Sequence, residues 1–391
     1  MTRGLRLCIV GGIFDKPDAY RARHALTPET ILVQGLRDRG YEVDAVGHNQ
    51  LAACGRYDLV HVHHFGRAAL MMAARNTRAP FVFTGHSGPL TFGHERSLLR
   101  RGAFRQVLRS ADALVALSEA EAGRLARLAG RRAPVHVIPN GIPADLFHPE
   151  EGARPRPGGP AVILFVGQLV KLKGVDVLLP ALQQLARRRD AVLWLAYQNA
   201  ALEAHCRRLC SDLGIADRVQ FLGLRSAPEL AQLYREADVV ALPSYAEALP
   251  SVISEALLSG KPVVATRVGG IPEQVGPYGQ LVAPGDPIAL AGALQAVLDD
   301  LPRYRALAPE MSAYAQGRFS VQAMVGSHLQ LYEAAVACSR ARRGGLSVLS
   351  RWLLSAAIDL YWSAGRYRKL ARSGVIAERV VRERFGPSPQ P

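Results

Sequence analysis

Cysteine is scarce in this sequence, and none of it is arranged for chemistry. Cys8, Cys54, Cys206, Cys210 and Cys338 include no C-x-x-C pair, and their odd number argues against a disulfide framework. That usage fits a reducing compartment, so a cytoplasmic protein is expected. Cys206 and Cys210, four apart in a helical pattern, share a face with no partner spaced for zinc; buried packing is their expected role. No charge-free run reaches the ~18 residues a membrane-spanning helix needs. The apolar run in the opening MTRGLRLCIVGG is too short for a signal-peptide core and reads as a first buried strand. Zinc-finger spacings, RNP-like aromatics and a basic helix joined to heptads are missing, so no nucleic-acid partner is expected. G-x-G-x-x-G does not follow the first strand, which leaves an NAD-dependent enzyme without support. D-x-D, a spacing that would offer paired carboxylates to a metal, occurs nowhere.

What is present describes a folded protein of ordinary composition. In 391 residues, 49% are hydrophobic and 21% charged, and the length favours two cores over one. The formal net charge of +15 favours anionic partners, a phosphorylated small molecule or an acidic lipid surface among them. Short apolar runs alternate with amphipathic segments: LRLCIV, YEVDAVG, DLVHVH, PFVFTGH, ADALVALS and VHVIPNG. This is the pattern of a parallel sheet wound with helices. PEEGARPRPGGP, residues 149 to 160, interrupts it as a linker, after which AVILFVG, AVLWLAYQ, VQFLG, ADVVALPS, KPVVATRV and GQLVAPGD repeat the rhythm. The expected fold class is α/β: two doubly wound, Rossmann-like domains, 1–150 and 161–335, with a basic helical tail over 340–391. Ligands are expected where the carboxyl ends of the strands face a cleft.

Two stretches carry chemistry. SYAEALPSVISEALLSGKPVVATRVGGIPEQV, which begins at Ser244, reads as a strand end, a loop, a helix with Pro250 in its first position, and another strand. Glu255 lies with Ser251 and Ser259 on a polar stripe, away from the apolar face of Val252, Ile253, Ala256 and Leu257. Glu247 precedes the helix, beside the free amides of Leu249, Ser251 and Val252, where an anion such as phosphate fits. Taken singly, Glu255 as a solvated helix residue and Glu247 as a complement to the helix dipole is the commoner outcome. The second stretch, FVGQLVKLKGVDVLL, changes the weighting, because Lys173 opens the next helix within reach of a phosphate.

FVGQLVKLKG (165–174) followed by PSYAEALPSVISEALLSGKPVVATRVGGIPE (243–273) resembles the carboxyl-terminal domain of the family 4 retaining glycosyltransferases, which have the GT-B fold. The E-x7-E spacing of Glu247 and Glu255 matches that family; HVIPNGIPADLFHP (136–149), DLVHVHH (58–64) and TGH (84–86) resemble its first domain. The resemblance covers roughly residues 5 to 335 and implies a role for each matching residue. Lys173 would pair with the donor diphosphate, Glu255 would bind the ribose hydroxyls of a nucleotide sugar, and Glu247 would lie near the transferring sugar. The backbone from Leu249 through Pro250 and Ser251 to Val252 would hold the phosphates, and His86 would contact the sugar from the other domain. It implies retention of configuration, with the leaving phosphate as base. These residue types suit the chemistry, since breaking a sugar–phosphate bond develops negative charge on the diphosphate and positive charge on the ring. No cofactor is implied, the nucleotide diphosphate sugar being a substrate, and no metal.

Three departures stand out. Gln168 replaces an arginine common after the strand glycine and leaves one cation fewer on the diphosphate. AYQNA (196–200) replaces a glycine-rich turn near the base. GGIFDKPDAYRARHALTPET keeps Gly11 and Gly12 of a phosphate-facing loop but lengthens the approach to the helix at Pro28, so that Arg21, Arg23 and His24 face a substrate or form a solvated insertion. The trio His61, His63 and His64 suggests metal, yet alternation puts 61 and 63 on one face and 64 on the other; strand-end packing and cleft lining are expected. The tail carries eleven basic and three acidic side chains, and LSVLSRWLLSAAIDLYWSAGRYRK has one narrow polar stripe. Docking at an anionic membrane surface and packing on its own domain are both open. The expected activity is transfer of a sugar from a nucleotide diphosphate sugar to a hydroxyl acceptor. The alternatives are a nucleotide-sugar-binding subunit acting through a partner and an epimerase or phosphorylase on the same fold.

Overall fold

The computed structural model describes residues 5–23, 26–50, 56–74, 79–86, 98–130, 133–149 and 159–339. Most of the linker and the whole tail, with the membrane-docking helix expected there, lie outside the described residues, as does His24. Each apolar run of the sequence is a strand. In the first unit these are β1 (Arg6–Val10), β2 (Glu42–Val46), β3 (Leu59–His63), β4 (Phe81–Thr84), β5 (Ala113–Ala116) and β6 (Val135–Val137), a parallel sheet in the order β2-β1-β3-β4-β5-β6. Side chains alternate across it, as the two-residue period of a strand demands. Leu7 and Ile9 pack with Leu32 and Leu36 of the helix Pro28–Arg37, whereas Cys8 and Val10 pack on the opposite face with Leu70 and Val107.

The second unit repeats the plan with β7 (Ala161–Val166), β8 (Ala191–Ala196), β9 (Val219–Gly223), β10 (Val239–Leu242), β11 (Val263–Thr266) and β12 (Gly279–Val282), ordered β12-β11-β10-β7-β8-β9. Two of its helices start where the sequence supplies caps. Ser226 and Glu229 form a capping box before the helix Ala227–Glu236, and the Asp286 side chain accepts from the amides of Ile288 and Ala289 ahead of Pro287–Asp299. Cys206 and Cys210 sit buried on the helix Glu203–Asp212.

Strand order locates the places where function concentrates. In the second sheet β7 has β8 on one side and β10 on the other, so the helical connections after β7 and β10 leave in opposite senses and open a crevice at their carboxyl ends. The same reversal in the first sheet falls between β1 and β3.

The domain boundary differs from the one read in the sequence. The first unit runs to Gly141 and resumes at Val321, and the second spans Ile142–Ser320. The helix Val321–Ser339 therefore belongs to the first unit, where Met324, Val325, Leu331 and Tyr332 join the core of Leu7, Ile9 and Leu32. In the sequence, residues up to 335 read as part of the second domain, because nothing local in that stretch says which sheet it covers. Among the described residues, no helix is long and apolar enough to cross a membrane.

Candidate active site

At the carboxyl end of β7 the chain passes Gly167 and Gln168, makes a short 3-10 turn over Lys171–Lys173, and enters the helix Val175–Ala186 through Gly174. Gly174 has φ 68°, and a Cβ there would lie 2.1 Å from the Pro243 carbonyl oxygen, so only glycine lets the turn press against the end of β10. The Tyr245 amide then donates to the Leu172 carbonyl at 2.8 Å and ties the two loops together. As a result, residues 74 positions apart meet: Lys173 Nζ donates to Glu247 Oε1 at 2.6 Å, with side chains 23% and 10% exposed. Ser244 Oγ donates to the same oxygen at 2.7 Å. Gly269, at φ 55°, closes the loop from the far side, where a Cβ would lie 1.9 Å from the Glu247 carbonyl oxygen. The Gly270 amide donates to the Ala248 carbonyl, and Gln274 Nε2 donates to that of Pro250.

The next helix is Ser251–Leu258, and Pro250 is its extended N-cap rather than its first helical residue, at φ −73° and ψ 126°. Leu249 packs its side chain into the core. The amides of Leu249, Ser251 and Val252 have no protein acceptor among the described residues and carry the positive end of the helix dipole. The polar stripe, set apart from the apolar face in the sequence, is nevertheless largely covered. Ser259 is 1% exposed, and Glu255 is half-buried, its Oε2 receiving a hydrogen bond from Tyr234 Oη at 2.7 Å. Burial pushes the Glu255 carboxyl up to about 7, against the opposing pull of the tyrosine bond. Tyr234 is fully buried, its ring edge-on to Phe147.

In the first unit, Gly11 follows β1, donates its amide to the Val46 carbonyl and adopts an extended backbone. Its missing side chain makes room for Glu29, whose Cγ would stand 2.9 Å from a Cβ there. Gly12 begins a 3-10 turn beside His48. Arg21 pairs with Asp18 on a short helix, and the Arg23 side chain lies outside the described residues. The expected alternation of the histidines ends at the strand. His61 and His63 are buried in β3, but His64, beyond it, has φ 66° and His86, beyond β4, has φ 44°, which bring the His64 and His63 rings against His86 at 4.5 and 5.1 Å between centroids. His63 Nδ1 and His86 Nε2 share a hydrogen bond of 2.8 Å, and His64 Nε2 donates to Glu29 Oε1 at 2.7 Å. Burial, then the charge of His64, pushes the His86 imidazole down to about 3, so it is a neutral hydrogen-bonding group at neutral pH. Burial would raise the Glu29 carboxyl; the His64 bond and the surrounding imidazoles outweigh it and hold it well below the usual carboxylate range.

Lys173, Glu247, the 249–252 backbone and Glu255 thus gather at the switch point of the second sheet, whereas Gly11, Gly12 and His86 belong to that of the first. Gln168 is exposed, and its loop is tied to AYQNA by the Leu169 amide donating to the Asn199 carbonyl. Sequence reasoning passed over Tyr234, Ser244, Gly269 and Glu29. Gly269 alone had a local signal, the Gly-Gly-Ile-Pro step after a strand.

Two helix-wound parallel sheets in one chain define the GT-B class, and solved structures agree. Sucrose-phosphate synthase of Thermosynechococcus elongatus superposes with a TM-score of 0.71 at 23% identity, over 86% of this chain and 100% of that one. Anabaena HepE in complex with UDP and glucose gives 0.66 at 21%, over 84% and 100%. Residues 160–300 match the family model described as Glycosyl transferases group 1, and residues 48–146 match Glycosyltransferase Family 4. D-inositol 3-phosphate glycosyltransferase 1 of Catenulispora acidiphila is 35% identical over 75% of this chain and 76% of its own length. The D-inositol 3-phosphate glycosyltransferase of Corynebacterium diphtheriae is 38% identical over 66% and 67%. The chain belongs to glycosyltransferase family 4 and is a glycosyltransferase.

Proposed function

We propose that the enzyme transfers a hexosyl or related sugar from a nucleotide diphosphate sugar to a hydroxyl acceptor, with retention at the anomeric carbon and without an essential metal. The observation that carries the reading is the Lys173–Glu247 pair at the β7/β10 switch point, beside the unpaired amides of the Ser251 helix. On this reading Lys173 and those amides take up the charge that develops on the departing diphosphate, where fixed donors act more strongly than water. Glu255, oriented by Tyr234, accepts the ribose hydroxyls. Glu247 is held by Ser244 as well as Lys173, so it keeps its place when the ammonium turns to phosphate, and it lines the position of the sugar. His86 offers the sugar a neutral imidazole.

The bond between the anomeric carbon and the diphosphate oxygen breaks as the acceptor oxygen attacks from the same side, and the acceptor proton passes to the departing phosphate. Relatives named for D-inositol 3-phosphate make a cyclitol phosphate the first acceptor to assay, and the net charge of +15 suits such an anion. The exposed Gln168, in place of a cation, favours one other reading, a donor-binding subunit without turnover.

Thermal shift against UDP-, GDP-, ADP- and TDP-sugars, followed by transfer assays with the donor that binds, tests both. One donor is expected to raise Tm by mass action, and transfer is expected to fall at least about a hundredfold in Lys173→Ala. Binding without transfer across an acceptor panel favours the binding subunit, and Lys173→Ala turning over like the parent removes the site.

A further inference from the structure

Glu29, His63 and His86 reach one point of the first unit from three elements: the first turn of the helix Pro28–Arg37, the last residue of β3, and the turn after β4. One donor atom from each lies within 4.8 Å of the other two. Glu29 and His63 are each 3% exposed. Two further features describe a built site. The His64 hydrogen bond orients the Glu29 carboxylate as an outer partner orients a ligating group. Gly11 leaves room for the Glu29 stem, which a side chain there would displace.

We propose that Glu29, His63 and His86 form a three-donor site for a divalent transition metal of the zinc class, separate from the diphosphate site and not required for transfer. Two imidazoles and one carboxylate suit a borderline cation such as Zn2+ or Co2+ and are a poor set for Mg2+ or Ca2+, which prefer oxygen. The 2.8 Å between His63 Nδ1 and His86 Nε2 spans one shared proton. A tetrahedral ion bound to both, at about 2.0–2.1 Å from each nitrogen, needs them only about half an ångström further apart. The shared proton moves to the other nitrogen of its own ring, so both rings stay neutral and coordinate through lone pairs, with water in the fourth position. An ion bound there engages His86. It therefore slows transfer, a consequence that rests on the reading of His86 as a sugar contact.

The test is equilibrium dialysis of the full-length, metal-stripped protein against Zn2+, with the visible spectrum of the Co2+ form as a second readout. One equivalent is expected to bind the parent and the exposed-histidine control His205→Ala. Binding is expected to weaken at least about tenfold in Glu29→Gln, in His63→Ala and in Gly11→Ala. Glu29→Gln keeps side-chain size, and its melting curve separates lost ligation from lost folding. The Co2+ form of the parent is expected to show intense tetrahedral bands without a thiolate charge-transfer band, a result that needs no variant. A parent that takes up no Zn2+, variants that bind as tightly as the parent, or a thiolate band overturn the site. Zn2+ that binds through these residues yet leaves transfer unchanged upholds the site and removes His86 from the sugar.

Discussion

Glu255 shows how one burial changes the behaviour of a residue. Its carboxyl is raised to about 7, so between about pH 4.5 and 7 the folded state holds a proton that the unfolded chain has released. Stability from this group is complete below about 4.5, declines as pH rises, and is gone above about 7. Glu255→Gln removes the cost of the buried charge. The variant is expected to gain on the order of 2–3 kcal/mol relative to the parent between pH 4 and pH 8, measured by urea denaturation at each pH. On the proposed reading, the ionised form is the better acceptor for ribose hydroxyls, so donor KM in the parent rises as pH falls below about 7, and in Glu255→Gln the profile is flat. Tyr234→Phe is expected to raise donor KM several-fold with little change in acceptor KM, which separates orientation of the carboxylate from general destabilisation. The E-x7-E spacing made Glu255 legible as a candidate. Tyr234, 21 residues upstream, was not, because only the packing of the Ala227–Glu236 helix on the Ser251 helix brings the pair together.

At the scale of elements, two loops and the glycines between them build the site. Gly174 and Gly269 each combine positive φ with a backbone oxygen inside the volume of a Cβ. In Gly174→Ala the left-handed backbone alone costs about 1–2 kcal/mol, and the clash with Pro243 adds to it. The expected outcome is a lower urea midpoint and donor affinity reduced beyond the fall in stability. An ordinary cap behaves differently: Asp286→Ala is expected to cost about 1 kcal/mol and to leave donor affinity unchanged by isothermal titration, since its helix carries no proposed contact. The sequence showed that Lys173 opens a helix and that Glu247 precedes one. It did not show that they pair, because their 2.6 Å bond depends on β7 and β10 being neighbours, although β8 and β9 intervene in the chain. Pro250 was misplaced by one residue for a local reason: proline's fixed φ suits an extended cap as well as a first helical turn.

At the scale of the molecule, the chain leaves its first unit at Gly141 and returns at Val321. The returning helix places Tyr332 Oη 2.7 Å from His61 Nδ1 and buries Val325 and Tyr332 completely. A fragment of residues 1–150 therefore lacks part of its core. It is expected to expose apolar surface, bind a hydrophobic dye and show no cooperative melting, whereas the full-length chain melts cooperatively. A fragment that folds as well as the intact protein contradicts this account of the core. The sequence by itself determined the two parallel sheets, their strands and the position of the diphosphate-binding candidates, because hydrophobic period, caps and strand-end glycines are local signals that each segment carries alone. Only the tertiary structure decided which sheet the Val321 helix covers, which carboxylates are buried and what they bond, and that His63, His64 and His86 converge. Those outcomes depend on strand order, on left-handed residues past the strand ends and on contacts between segments far apart in the chain, none of which leaves a mark on local sequence.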